Sequence, residues 1–538
     1  MIEIIFLYFF LLTICFANGK FFLSILNRNH QYNFFENIIF GIIISGFVAV
    51  FFNYFLPLND FLILINFILS LIYIYRTRLS FRYNTDEIKI FIILSLLSFF
   101  QIYSSGFSDD LNHYHGGHIT NSDNGNIIIG SNLLNDHFGY STIWLITQSY
   151  LNINIMFLQS IHIVNSILFV GVLGSLLTEI YNNYKLKSKH YINFFCIFST
   201  LFILIKYTRL KEFGVDRPAT LIFMTLIFYF IKNFSIEKKG NEITHIYLFK
   251  FFFISLYLFF NKIIYLAVLI FPIFYLIYNK NYDFFLKKYF FCLVLISAIL
   301  IAKNILVSGC IIYPIPFSCV NLSWTTEDYA QRLYYMTEII AKNIHNGFNK
   351  EEYSYALDNL KWINNWFERT KVEIYEFLFT CLLSFVLAIT ALRNIKTNKD
   401  LFCKKILLYS ILVYTILSGI IFLKAPVIRY QHQLFLCFFY LIYLFFFTNL
   451  KIKNYTIYII IFALLFNISK NIKRISNDNF VNNPRELIKK IKWYREPVLV
   501  KKDGIDLYNG WIDAYPVGKN NLNDVKYKKF GIFKVLYR

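Results

Sequence analysis

The sequence predicts an all-α polytopic membrane protein with about fourteen transmembrane helices, and three observations carry that prediction. Apolar residues make up 57% of the 538, charged residues only 16% and aromatics 20%. A soluble domain carries about 25% charged residues, and a chain so poor in them cannot cover a globule with polar surface. The mean hydropathy is +0.51. Apolar runs approaching the roughly 20 residues that cross a hydrocarbon core recur along the whole chain. Lysine and arginine, finally, crowd into alternate connections between those runs. Together these exclude a disordered chain, a coiled coil and a small disulfide scaffold.

The runs lie near 3–19, 36–57, 60–75, 90–105, 156–180, 191–206, 218–232, 245–260, 263–279, 289–307, 373–392, 406–423, 432–449 and 455–468. The first lacks the basic flank and small-residue cleavage site of a signal peptide, so it reads as a span. Short odd-numbered connections hold twenty-two of the 53 basic residues, among them Arg76, Lys187, Lys239, Lys287 and Lys404. From Ile90 to Tyr184 there is no Lys or Arg, where about nine would be expected at the mean frequency. By the positive-inside rule the N-terminus and main loops are extracytoplasmic, in a bacterial inner (plasma) membrane. The tail from Lys470 to Arg538 carries 16 basic residues, yet long segments translocate largely regardless of charge, so it too reads as outward. The net charge of +21 then reflects topology and attraction to anionic lipid; nucleic-acid binding is not expected.

Polar residues near a membrane are costly and mark function, and four outward segments concentrate them. Gly106–Tyr150 opens with Asp109 and Asp110, then adds His113, His115, His118, Asp136 and His137; its later apolar residues suggest short helices lying at the interface. Imidazole and carboxylate together suit Zn or Mn, so a divalent cation is the one candidate cofactor, although the spacing matches no closed site. Lys206–Thr220 holds Arg209, Asp216 and Arg217. Ile305–Glu327 contains Cys310 and Cys319, which could form a disulfide, and Trp324; with Trp362 and Trp366 this last residue reads either as an interfacial belt or as a groove wall. Lys424–Tyr430 supplies Arg429, and Lys262 and Lys303 add cations at the same membrane face.

Carboxylates beside cations at one membrane surface suit sugar transfer from a lipid phosphate. A carboxylate takes the acceptor hydroxyl's proton, and Arg or Lys meets the charge on the departing phosphate. One carboxylate acting in a single displacement inverts the anomeric centre. The acidic pair directly after a helix exit, followed by interface helices, resembles the first outward loop of GT-C glycosyltransferases. That resemblance implies a polyprenyl-phosphate sugar as donor, a glycan or lipid acceptor, and catalytic roles for Asp109, Asp110 and Asp216. The motifs DDLNHYH, HFGYSTIWL, VDRPA, NILVSGCIIYPIPF and APVIRY resemble an uncharacterised family of bacterial multi-pass membrane proteins. Two features depart from the GT-C pattern: three helices precede the one leading into the acidic loop, and no DxD motif is present. His113, His115, His118, His137, Arg209, Arg217, Lys262, Lys303, Trp324 and Arg429 are the candidate substrate-binding residues. Three parts are expected: N-terminal helices over 1–105, a GT-C-like core over 106–469 with outward loops 106–155, 206–218, 308–372 and 424–431, and a small strand-containing tail over 470–538. A surface polysaccharide polymerase or ligase, and a lipid-linked saccharide transporter or flippase, are the competing readings.

Overall fold

The computed structural model describes the chain except residues 1, 28–31, 78–83, 105–109, 111–113, 141, 154–162, 188, 191, 211–213, 235–240, 391–397, 447–449, 478–497, 503–504, 510–516, 519–524 and 538. Asp109 and His113 lie outside the described residues. Eighteen α-helices occur among the rest: α1 (Ile2–Leu26), α2 (Phe34–Asn53), α3 (Asp60–Thr77), α4 (Thr85–Tyr103), α5 (Gly116–Asn124), α6 (Ile143–Tyr150), α7 (Ile163–Lys185), α8 (Ile192–Lys206), α9 (Asp216–Phe234), α10 (Asn241–Asn261), α11 (Ile270–Asn279), α12 (Lys288–Ser308), α13 (Glu327–Ala341), α14 (Tyr353–Asp358), α15 (Trp362–Thr390), α16 (Asn398–Lys424), α17 (His432–Phe446) and α18 (Asn454–Asn477). Eight of them, namely α1, α2, α3, α7, α10, α12, α16 and α18, are long and apolar enough to cross a membrane. Within the described residues each apolar run falls on a helical segment; the run at 263–279 is a 3₁₀ turn (Ile263–Leu269) continued by α11.

Small residues set the tightest packing. A Cβ added at Gly41 of α2 would lie 1.6 Å from the Cys15 carbonyl oxygen, and one at Gly19 of α1 would lie 1.7 Å from that of Asn37. Helices that gain nothing from the hydrophobic effect within lipid adhere through such backbone approach. Ion pairs also tie helices together. Lys185 donates to Asp86 at 2.7 Å and Lys232 to Glu179 at 2.7 Å, while buried Lys250 of α10 meets Glu36 of α2 at 3.0 Å.

The acidic loop corrects one expectation. Every residue of α6 is buried, Trp144 completely, so α6 is inserted in the bundle and does not lie on its surface. Its polar groups find partners inside: Thr147 is hydrogen-bonded to Tyr257 at 2.7 Å, and the Trp144 amide donates to Asn261 at 3.3 Å. The later helix α13 is amphipathic, burying Ala330, Leu333, Ile339 and Ala341. Cys310 and Cys319 are disulfide-bonded.

The tail contains strands, as its alternation predicts. Strand β1 (Ile128–Ile129) belongs to the acidic loop, β2 (Lys189–His190) pairs with β3 (Leu450–Lys451), and β4 (Val498–Lys502), β5 (Ile505–Asn509) and β6 (Val517–Gly518) form a second sheet. β7 (Lys526–Phe530) and β8 (Phe533–Tyr537) make a hairpin, and β8 runs parallel to β1 with Ile128 opposite Lys534. The tail therefore sits on the same face as the acidic loop. Gly130 permits the junction: it has φ +73°, and a Cβ there would meet the Leu536 carbonyl.

Candidate active site

Helix termini converge on that face around a cavity of about 580 Å³. Asp110 follows α4, and Asp216 opens α9, where a carboxylate complements the helix dipole and Pro218 fits because first-turn amides need no intrahelical partner. Lys262 sits in the turn after α10. Pro426 stops α16, and its carbonyl accepts from the Trp366 indole. That contact, with Ile428 buried beneath, turns Arg429 and Tyr430 toward the cavity.

Arg429 lies between the two carboxylates, with Nε 3.8 Å from Asp216 and Nη2 3.9 Å from Asp110. Lys262 donates to Asp216 and lies 3.4 Å from the centre of the Tyr430 ring. Arg429 also donates to the Tyr430 hydroxyl at 3.0 Å. Burial lowers the Arg429 pKa, but Tyr430, Asp216 and Asp110 together more than offset this and raise it, so the guanidinium stays charged. Among the described residues Asp216 thus has two cationic neighbours, whereas Asp110 has one, at a distance too long for a direct hydrogen bond. Asp110 is the less engaged of the two carboxylates.

His115 lines the same cavity. Its ring is buried, and neither nitrogen has a hydrogen-bond partner among the described residues. Burial, with further help from Lys262 and Arg429 against Asp110 and Asp216, lowers its pKa to about 4. The ring is therefore neutral near pH 7, with a nitrogen able to hold a ligand hydroxyl. Also on the cavity wall, Arg209 donates to the Ser104 carbonyl at 3.0 Å, and the Arg217 guanidinium lies 5.5 Å from the Tyr207 ring centre.

The structure thus brings together Asp110, His115, Arg209, Asp216, Arg217, Lys262 and Arg429. It separates four others. His118 and Lys303 line a smaller pocket. His137 pairs with Asp136 at 2.7 Å, beside Arg332, and stacks on Tyr114. Trp324 braces the end of α12 by donating to Ile305 at 2.9 Å. Sequence reading missed Glu373, Glu376, Lys470 and Arg474, which also line the large cavity. The signal for the last two is the polar end of α18, which runs to Asn477, well past the apolar run.

The cavity wall carries seven cationic and four anionic side chains, counting histidine neutral. That surplus favours an anionic ligand, and the volume suits a small molecule. Phe169, Phe379, Phe466 and Ile205 line the remainder, with Phe379 and Phe466 exposed on the outside of the bundle. Among the described residues no three His, Cys, Asp or Glu side chains are grouped to hold a metal ion; between Asp110 and Asp216 the guanidinium of Arg429 takes the place a cation would fill.

No curated protein and no solved structure matches the chain. Residues 1–436 match the family described as "Domain of unknown function (DUF8201)". The match covers most of the 538 residues, and the chain belongs to that family.

Proposed function

We propose that this protein is a GT-C-like membrane glycosyltransferase of about fourteen spans in the bacterial inner membrane, with its N-terminus and main loops extracytoplasmic. It transfers a sugar from a polyprenyl-phosphate carrier to a cell-surface glycan or lipid acceptor. The observation carrying this reading is the single cavity that joins Asp110 and Asp216 to Lys262, Arg429, Arg209 and Arg217, with phenylalanines at its margin. The carrier's chain stays against Phe379 and Phe466 while its phosphate lies among the cations.

Asp110 removes the proton of the acceptor hydroxyl as general base. The acceptor oxygen bonds to the anomeric carbon, and the bond from that carbon to the phosphate oxygen breaks. The electron pair leaves with the phosphate, whose growing charge Arg429 and the neighbouring cations meet. Asp216 anchors Lys262 and Arg429 in position. One displacement inverts the anomeric centre.

The test is mass spectrometry of surface glycans from a deletion strain complemented with Asp110→Asn, Asp109→Asn or Asp216→Asn. Loss of one glycan with Asp110→Asn, while the variant remains inserted and stable, is the expected result. Normal glycan from all three would remove the proposal. A polymerase or ligase shares the need for Arg209, Arg217 and Arg429, and would show instead as altered chain length or attachment.

A further inference from the structure

A second, smaller pocket of about 40 Å³ lies beside the α12 end, walled by α2, α5, β1 and α6. Lys303 of α12 lines it and is 5% exposed. Among the described residues no carboxylate pairs with this ammonium and no hydrogen bond reaches it. A buried cation without a counter-ion is costly, and the surrounding groups are amides and hydroxyls: Asn53, Asn126, Ser122 and Ser131. The His118 ring, also on the wall, has Nδ1 buried with no partner. Burial first, and the Lys303 charge second, lower the His118 pKa to about 3, so the pocket's positive charge belongs to Lys303 alone. The walls are fixed in place. Asn53 donates to the Gly125 carbonyl at 3.1 Å, the Ile127 amide donates to Asn53 at 2.8 Å, and β8 lies against β1 behind them.

We infer that this pocket is a binding site for one phosphate group, held by Lys303 with His118 Nδ1, the Ser131 hydroxyl and the second amide proton of Asn126 as donors. It is separate from the large cavity, which shares none of its lining residues. The space is enough for a few water-sized atoms and too small for a sugar, so it takes the headgroup phosphate of an anionic lipid or free phosphate.

Hydrogen exchange of the full chain in nanodiscs tests this, with inorganic phosphate added to neutral phosphatidylcholine discs and, separately, with phosphatidylglycerol discs and no phosphate. Ligand at ten times its dissociation constant slows exchange through local opening about tenfold. That slowing is expected over residues 116–131 in at least one arm: slowing by inorganic phosphate identifies the soluble ion, and slowing only by phosphatidylglycerol identifies the lipid headgroup. Lys303→Gln should abolish it, while Lys303→Arg, which keeps the charge, should retain it. Absence of slowing in both wild-type arms, or equal slowing in Lys303→Gln, overturns the inference. The readout does not involve sugar transfer, so its failure and the failure of the transferase reading are distinguishable.

Discussion

Replacing Arg429 with Gln separates what this residue does for the fold from what it does for the reaction. In the resting protein the guanidinium stands 3.8 Å from Asp216 and 3.9 Å from Asp110. Coulomb's law gives roughly 1 kcal/mol per pair in water and ~4 kcal/mol at an effective dielectric constant of 20. The Arg429 side chain is 48% exposed and that of Asp110 39%, so the lower figure governs, and side-chain ordering reduces it further. Arg429→Gln should therefore cost about 1 kcal/mol or less, and move the melting temperature in detergent by no more than about 3 °C. A departing phosphate presents new charge to the same group, and removing such a donor costs about 100- to 1,000-fold in rate. Thermal unfolding of purified protein, alongside glycan mass spectrometry of the complemented strain, reads both quantities. Arg429→Lys should fall between wild type and Gln, keeping the charge but losing the planar fork. A large drop in melting temperature would assign Arg429 a structural role, and an unchanged glycan would remove its catalytic one.

Other measurements bear on the fold and its protonation. Gly41→Ala should cost about 3 kcal/mol or more, because the added methyl would overlap the Cys15 carbonyl and force α1 from α2; a folded yield equal to wild type would contradict the close approach. Gly419→Ala in α16, with nothing within 4 Å of the added carbon, should be neutral or stabilising by up to about 1 kcal/mol in the same melt. Burial raises the Asp123 carboxyl to about 8, with Ser149 and Asn152 only partly opposing it. Its folded pKa exceeds the unfolded value of about 3.9, so the folded state holds the extra proton and stability falls as pH rises through that window toward 8; Asp123→Asn should flatten melting curves between pH 6.5 and 8. His115 acts oppositely: its folded pKa of about 4 is below the unfolded value of about 6.5, so stability is lost on acidification between those values, and His115→Gln should remove that slope. Leu536→Ala, at a fully buried site against Ile128 and Leu133, should cost about 2–5 kcal/mol in chemical denaturation.

Much of this architecture was legible in the amino-acid order. The apolar runs give the helices, and the asymmetry of Lys and Arg sorts the connections into two faces. Asp110, Asp216, Lys262 and Arg429 are far apart in sequence, yet each lies in a connection assigned to the same face, and that parity is why they could be grouped before their contacts were known. Which cations on that face share a cavity depends on lateral helix order, which periodicity does not encode. Lys303 and His118 were grouped with Lys262 and His115 for that reason, and they occupy a different pocket. The burial of α6 is hidden for a related cause: Ile143–Tyr150 mixes apolar and polar residues as a surface helix does, and partners supplied by other parts of the chain (Tyr257 and Asn261 of α10, Asn165 of α7 and Asp123) make its interior position tolerable.

The hydrogen bond from Asn126 to the Ile532 carbonyl joins residues 406 positions apart, and β1 has β8 as its only described strand neighbour. During synthesis the β1 edge of the acidic loop therefore stays open until the β7–β8 hairpin has emerged and docked beside it. Completion of the loop thus depends on a hairpin that follows all eighteen described helices in sequence, and a chain cut before β7 would hold those helices while leaving that loop without its lateral support.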